Sequence, residues 1–150
     1  MSRRDQIRMA PEEVASFLAE QRVVICATNG PQGWPHLMPL WYVMRGEEMW
    51  AWTYAKSQKV KNLERDPRAT LQVEDGELYH ELRGVMIEAR VTLHHDHETV
   101  AGVGTELLGR YAGGEVADDM VRAQAAKRVG LQFGPDRITS WDHRKLGGTY

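Results

Sequence analysis

Thr53-Tyr54-Ala55-Lys56-Ser57-Gln58-Lys59-Val60-Lys61-Asn62-Leu63-Glu64-Arg65-Asp66-Pro67 is the stretch on which the reading of this chain turns. An aromatic strand, Met49 to Tyr54, runs into a short loop, and the loop opens a helix. Ser57 is placed to cap that helix, since its hydroxyl can accept from the free first-turn amides. Val60 and Leu63, three apart, predict a buried edge. Asp66-Pro67 ends the helix, because the residue before a proline is pushed out of helical geometry. Lys56, Lys59, Lys61 and Arg65 then crowd a helix whose N-terminal amides favour an anion. Two readings stand: a seat for a phosphate, or a solvated basic face on a surface helix.

Outward from this point, the chain reads as mainly β with flanking helices. Upstream, a helix is expected from Pro11 to Glu20, with proline at its first position and Val14, Phe17 and Leu18 on one stripe. Arg22 to Thr28 reads as a buried strand, Asn29 to Gly33 as its turn, and Trp34 to Met44 as a second strand. That second strand is apolar on both faces, so it wants a covering on both sides. Pro35 and Pro39 cannot donate ladder hydrogen bonds, which demotes part of it to an edge or a bulge. Such an edge can receive a flat ligand. The aromatics Trp50, Trp52 and Tyr54 share a face and are read as core packing.

Downstream, Arg68 to Glu74 alternates as a strand, Asp75-Gly76 marks a turn, and Arg83 to His95 is a long strand. Glu77 to Leu82 fits either a helical turn or the start of that strand. His94-His95-Asp96-His97 invites a metal reading, but neighbouring strand residues point to opposite faces, and Asp96 suits the N-cap of the next helix. No cysteine or second histidine cluster completes a ligand set, so no metal is expected. Helices are expected from Asp96 to Tyr111 and from Asp118 to Arg128. Val129 to Gly134 and Arg137 to Trp141 read as two closing strands joined by a turn at Gly134-Pro135-Asp136. The tail Asp142 to Tyr150 has no periodicity. Its cluster His143, Arg144 and Lys145 would suit the mouth of a ligand site.

Composition narrows the function classes. The 150 residues fit one domain, with residues 1–10 and 147–150 expected to be loosely held. Nineteen Lys plus Arg stand against 21 Asp plus Glu, so no broad basic field argues for nucleic acid. Cys26, the single cysteine, lies in the run Val23 to Ala27 and reads as a small buried hydrophobe rather than a nucleophile. Neither a leader nor a membrane span is evident, and the expected location is the cytoplasm. No triad or paired-carboxylate pattern announces side-chain catalysis.

Gly33-Trp34-Pro35-His36-Leu37-Met38-Pro39-Leu40-Trp41-Tyr42, Ser57-Gln58-Lys59-Val60-Lys61-Asn62-Leu63 with Asp66-Pro67-Arg68, Val73-Glu74-Asp75-Gly76, Leu82-Arg83-Gly84-Val85 and Trp141-Asp142-His143-Arg144-Lys145 together carry a resemblance. Their order and spacing resemble the pyridoxamine 5′-phosphate oxidase-like split β-barrels. More narrowly, they are similar to the flavin/deazaflavin-dependent oxidoreductases of actinobacteria, B group. The resemblance implies a six-stranded split barrel that works as a homodimer, with the cofactor in a groove between subunits. It implies that Thr53, Lys56, Ser57, Lys59 and Asn62 form the cofactor's phosphate or acidic-tail site. It also implies that Pro39, Leu40 and Trp41 lie against the ring. The expected cofactor is coenzyme F420, the deazaflavin, with FMN as the alternative. The expected activity is hydride transfer to an electron-poor small molecule such as an enone, a quinone or a tetrapyrrole. A barrel that only binds cofactor or haem is the rival from another class, kept open by His80, His94, His95 and His97.

Overall fold

The computed structural model describes residues 1–148. In chain order the elements are α1 (Arg3–Gln6), α2 (Pro11–Glu20), β1 (Val24–Asn29), β2 (Pro35–Leu40), β3 (Val43–Arg45), β4 (Glu48–Tyr54) and α3 (Gln58–Arg65). There follow β5 (Arg68–Asp75), a 3-10 turn (Tyr79–Glu81), β6 (Arg83–His94), α4 (His97–Ala112), α5 (Asp118–Ala125), β7 (Arg128–Asp142) and a closing 3-10 helix (His143–Leu146). The strands form one antiparallel sheet in the order β2-β1-β5-β6-β7-β4-β3. The expected six-stranded split barrel is thus corrected to a seven-stranded sheet that is not closed.

Trp34 to Met44, expected as one strand, is two. The chain leaves the ladder at Trp41-Tyr42, and β2 pairs with β1 while β3 pairs with β4 at the other end of the sheet. Side chains of α4 take the backbone groups at the break. The Tyr42 amide donates to the Tyr111 hydroxyl at 3.2 Å, and its carbonyl accepts from the Arg110 guanidinium at 2.6 Å. Buried backbone polar groups need a partner, and here it is not a strand.

A second correction concerns the closing strands. Gly134-Pro135-Asp136 is not a turn: β7 runs unbroken through it along β6. Glu88 opposes Arg137 and Ala89 opposes Pro135, so Asp136 is the extra residue of a β-bulge. Arg90 holds the Asp136 carboxylate at 2.9 Å.

The sheet wraps its inner face around Val24, Met49, Leu71, Val73, Val85, Ile87, Leu131 and Phe133, with Phe17 and Leu18 of α2 covering one side. Full burial of side chains of this size contributes roughly 1.5–3 kcal/mol each. Trp50, read as core, packs with Val43 of β3 against Val103 and Leu107 of α4. Gly104 must lack a side chain, since a Cβ there would run into the Trp52 ring. Asp96 caps α4 through the Thr99 amide at 3.0 Å, as its position suggested. Cys26 is 1% exposed, and burial pushes its thiol up to about 11, which suits a packing role. Among the described residues no helix is long and apolar enough to cross a membrane.

The segment ahead of α2 is fastened to the end of β7. Ser2 and Asp5 form a reciprocal capping box on α1, and the Ile7 carbonyl accepts from the Asp142 amide at 2.7 Å. Thr149 and Tyr150, within the stretch expected to be loose, lie outside the described residues. Asp142 is 6% exposed and pairs with Arg144 at 2.8 Å. That hydrogen-bonded pair holds its carboxyl below the ordinary carboxylate value. A carboxylate whose folded pKa is depressed stabilises the fold above the unfolded value, and the gain vanishes as pH falls through the folded one. Unfolding at pH 7 and pH 3 should therefore show a loss of stability on acidification that is smaller in Asp142→Asn than in the parent. Equal losses would mean that Asp142 does not contribute.

Candidate functional site

The β4–α3 junction folds as its residues suggested. Ser57 caps α3 by accepting from the Val60 amide at 3.4 Å, and Val60 and Leu63 are buried. Asp66 ends the helix. Its carboxylate accepts from Asn29 at 2.8 Å and from Arg68 at 2.8 Å, contacts that hold its pKa far below the usual carboxylate range.

Lys59 and Asn62 are also buried, one helical position before Val60 and Leu63. Lys59 is 4% exposed, and its ammonium donates to the Thr53 hydroxyl at 2.9 Å. Among the described residues it has no carboxylate partner. Burial lowers its pKa from 10.5. Asn62, wholly buried, donates to Thr28 at 3.0 Å and accepts from Gln58 at 2.8 Å. The predicted residues Thr53, Lys59 and Asn62 thus come together in one inward-facing polar cluster, with Thr28 as a member that the sequence reading missed.

The other three cations do not extend a single basic path from this cluster. Lys56 and Lys61 are exposed on either side, and the Arg65 guanidinium is taken by the Asn29 carbonyl. The divergence follows from helix geometry, since residues two apart do not share a face.

The edge predicted to meet a ring lies beside the cluster. Cys26 and Thr28 of β1 pair with Met38 and His36 of β2, so the strand that receives the Asn62 bond carries the edge strand on its other side. Pro39 is exposed, Leu40 is half-buried, and Trp41 is 51% exposed at the point where the ladder ends. His36 Nδ1 is buried without a partner among the described residues.

Trp41 rests on a firm floor. Its ring stacks on Tyr111 with centroids 4.4 Å apart and planes 10° from parallel. Beneath it, Arg110 gathers three carbonyls from two segments: Tyr42 at 2.6 Å, and Ala19 at 2.9 Å and Leu18 at 3.3 Å in α2. The Tyr42 hydroxyl donates to the Leu18 carbonyl at 2.6 Å, and burial pushes its pKa up to about 12. Arg110 and Tyr111 escaped the sequence reading because they sit in the last turn of α4. An aromatic beside an arginine just before Gly113 was the available signal.

The three candidate mouth residues each have a partner in the body of the chain. The His143 ring meets the Tyr79 ring at 4.7 Å with the planes tilted by 58°, and its Nδ1 donates to the Tyr79 carbonyl at 2.9 Å. Arg144 holds Asp142, and Lys145 holds Glu13 at 2.6 Å. The histidine run is likewise engaged: His94 bonds Gln132 at 2.8 Å and stacks on Trp50 at 5.0 Å, while His97 bonds the Arg122 carbonyl at 2.8 Å.

The pyridoxamine 5′-phosphate oxidase family pattern matches residues 10–142. The chain belongs to that family. In structure it is similar to the conserved hypothetical protein Rv2991 from Mycobacterium tuberculosis, at 40% identity and a TM-score of 0.90 over 100% of this chain and 95% of the other. It is also similar to an F420 reductase, at 24% identity and a TM-score of 0.71 over 87% of this chain and 98% of the reductase. The haem storage protein HutZ from Vibrio cholerae aligns at 16% identity and a TM-score of 0.68, over 89% of this chain and 96% of the other. At these identities the last two share the fold with this member of the oxidase family. A search of curated proteins returned no match.

Proposed function

We propose that this protein is an oxidoreductase that binds a flavin-type cofactor, in the first instance the deazaflavin F420, and reduces an electron-poor small molecule. The observation that carries the reading is Lys59. A buried ammonium without a carboxylate is costly unless something anionic completes it. A phosphate supplies both the charge and the acceptors that Thr53 alone does not.

The residues present fit such a group. Lys59 and the Ser57 end of α3 would hold the phosphate, with Lys56 and Lys61 available to the acidic tail. Pro39, Leu40 and Trp41 would offer one wall to the ring, with Tyr111 and Arg110 fixing Trp41 in place. When bound, the cofactor supplies a hydride to the acceptor, and the protein contributes orientation and exclusion of water. The F420 reductase neighbour supports this choice at the level of the fold. FMN is the second reading, favoured by the engagement of Arg65 with Asn29, which shortens the basic path a long tail would follow.

A homodimer belongs to the same proposal. Trp34 is 79% exposed, Leu37 57% and Met38 44%, all on or beside the edge strand β2. A second copy laid on this surface would cover it and close the ring site. Light scattering should give the mass of a dimer, and a monomer that still binds cofactor would refute the shared groove. Oxidation of chemically reduced F420 by a quinone, followed by the rise in fluorescence as the oxidised deazaflavin forms with and without protein, tests the activity. Acceleration that depends on protein supports the reading, and equal rates overturn it.

A further inference from the structure

At the far end of β4 from α3, a crevice of about 780 Å³ opens between α2, the β3–β4 turn and the second half of β7. It arises because β7 outruns its partner. β4 covers β7 only from Arg128 to Phe133, so beyond Gly134 that edge of β7 has no strand beside it. The N-terminal segment crosses there instead, and the Met9 amide donates to the Ser140 hydroxyl at 3.0 Å. Val14 and Leu18 form one wall, Met44 and Ile138 the other, and Ile138 is left 46% exposed although it points to the same face as buried Ile87. The volume lies within the range of about 300–1,000 Å³ typical of small-molecule sites.

The charges around this crevice oppose the charge of the chain. Arg4, Arg8 and Arg137 stand at its margin against Glu47 alone, while the whole chain carries a formal charge of −2. Arg4 makes no ion pair among the described residues. Arg137 is only loosely engaged, 3.7 Å from Glu88, with both side chains largely exposed. Arg8 binds Asp5 at 2.7 Å. An apolar cleft with guanidinium groups at its margin is complementary to a molecule that is apolar along its length and anionic at one end.

We propose that this crevice is a second ligand site, separate from the cofactor cluster, which takes a single-chain aliphatic carboxylate of the fatty-acid type. Its chain lies against Val14, Leu18, Met44 and Ile138, and its carboxylate meets Arg4 and Arg137.

The test uses the full chain and 11-(dansylamino)undecanoate as the fluorescent probe. Enhancement on binding should be reversed by dodecanoate, with dodecanol weaker by roughly tenfold or more, the scale of one charge-assisted contact. Arg137→Glu should weaken the probe by a similar factor. Ala15 is exposed on α2 at the crevice wall, so Ala15→Trp fills the space without disturbing the core and should abolish enhancement. Equal competition by dodecanol and dodecanoate would overturn the anionic-ligand assignment. Unchanged probe binding in Ala15→Trp, with an unaltered unfolding midpoint, would place the probe elsewhere. Conversion of a dimer to a monomer by Ala15→Trp in light scattering would make the crevice a subunit contact and also overturn the proposal.

Discussion

Arg110→Ala should lower stability by about 3 kcal/mol or more, because α2 and the strand break at Tyr42 lose one shared charged donor. The guanidinium reaches carbonyls of Leu18 and Ala19 in α2 and of Tyr42 at the strand break, and it lies 4.7 Å over the Tyr42 ring. Alanine takes the side-chain donor from the Ala19 carbonyl and one of two donors from the Leu18 and Tyr42 carbonyls, which keep the Tyr42 and Tyr111 hydroxyls; hydrogen bonds to a charged group contribute roughly 1.5–3 kcal/mol each. Arg110→Lys keeps the charge but not the fork, so it should recover less than half of the loss. Urea unfolding of the three proteins decides this, and coincident midpoints would show that the break at Tyr42 is held by other contacts. Loss of the network should also free Trp41 from its stack on Tyr111, seen as a change in tryptophan emission before unfolding begins.

Lys59→Met should move stability and ligand affinity in opposite directions. Removing a buried ammonium that lacks a counter-ion should raise the stability of the unliganded fold by roughly 1 kcal/mol or more. The same change should weaken cofactor binding by about ten- to a hundredfold, matching roughly 1.5–3 kcal/mol for a charged hydrogen bond to phosphate. The pH dependence follows from the lowered pKa of Lys59. An amine harder to protonate when folded binds fewer protons than in the unfolded chain, so its penalty is present at neutral pH. That penalty is relieved as pH rises from the folded value toward 10.5. The parent should therefore gain stability relative to Lys59→Met across that alkaline window. A variant that loses stability at neutral pH would assign Lys59 a purely structural role.

The α3 segment was legible because its signals are local. Ser57, Val60, Leu63 and Asp66-Pro67 act within two turns of one another, and each does in the structure what its type predicts. The inward turn of Lys59 and Asn62 needed the fold, since polar residue types on a short surface helix are ordinarily solvated. The division of β2 from β3 was not legible either. It depends on Arg110 and Tyr111, 68 and 69 residues downstream of Tyr42, and no local pattern at Trp41-Tyr42 reports them. Gly134-Pro135-Asp136 misled for the opposite reason: its local turn chemistry is strong, but pairing with the long β6 overrides it and turns the extra residue into a bulge. At the candidate site, residue types pointed to an anion, while the direction of each cation required the fold.

Lys59 should complete its charge with the anionic part of a deazaflavin. Side-by-side fluorescence titrations of the parent and Lys59→Met with F420 and FMN, at one ionic strength, test it most directly. F420 should bind the parent in the micromolar range or tighter, near −8 kcal/mol or below as an approximate scale, with FMN weaker and both weakened by Lys59→Met. Tighter FMN binding would give the site to the flavin, and affinities unchanged by Lys59→Met would contradict the account itself.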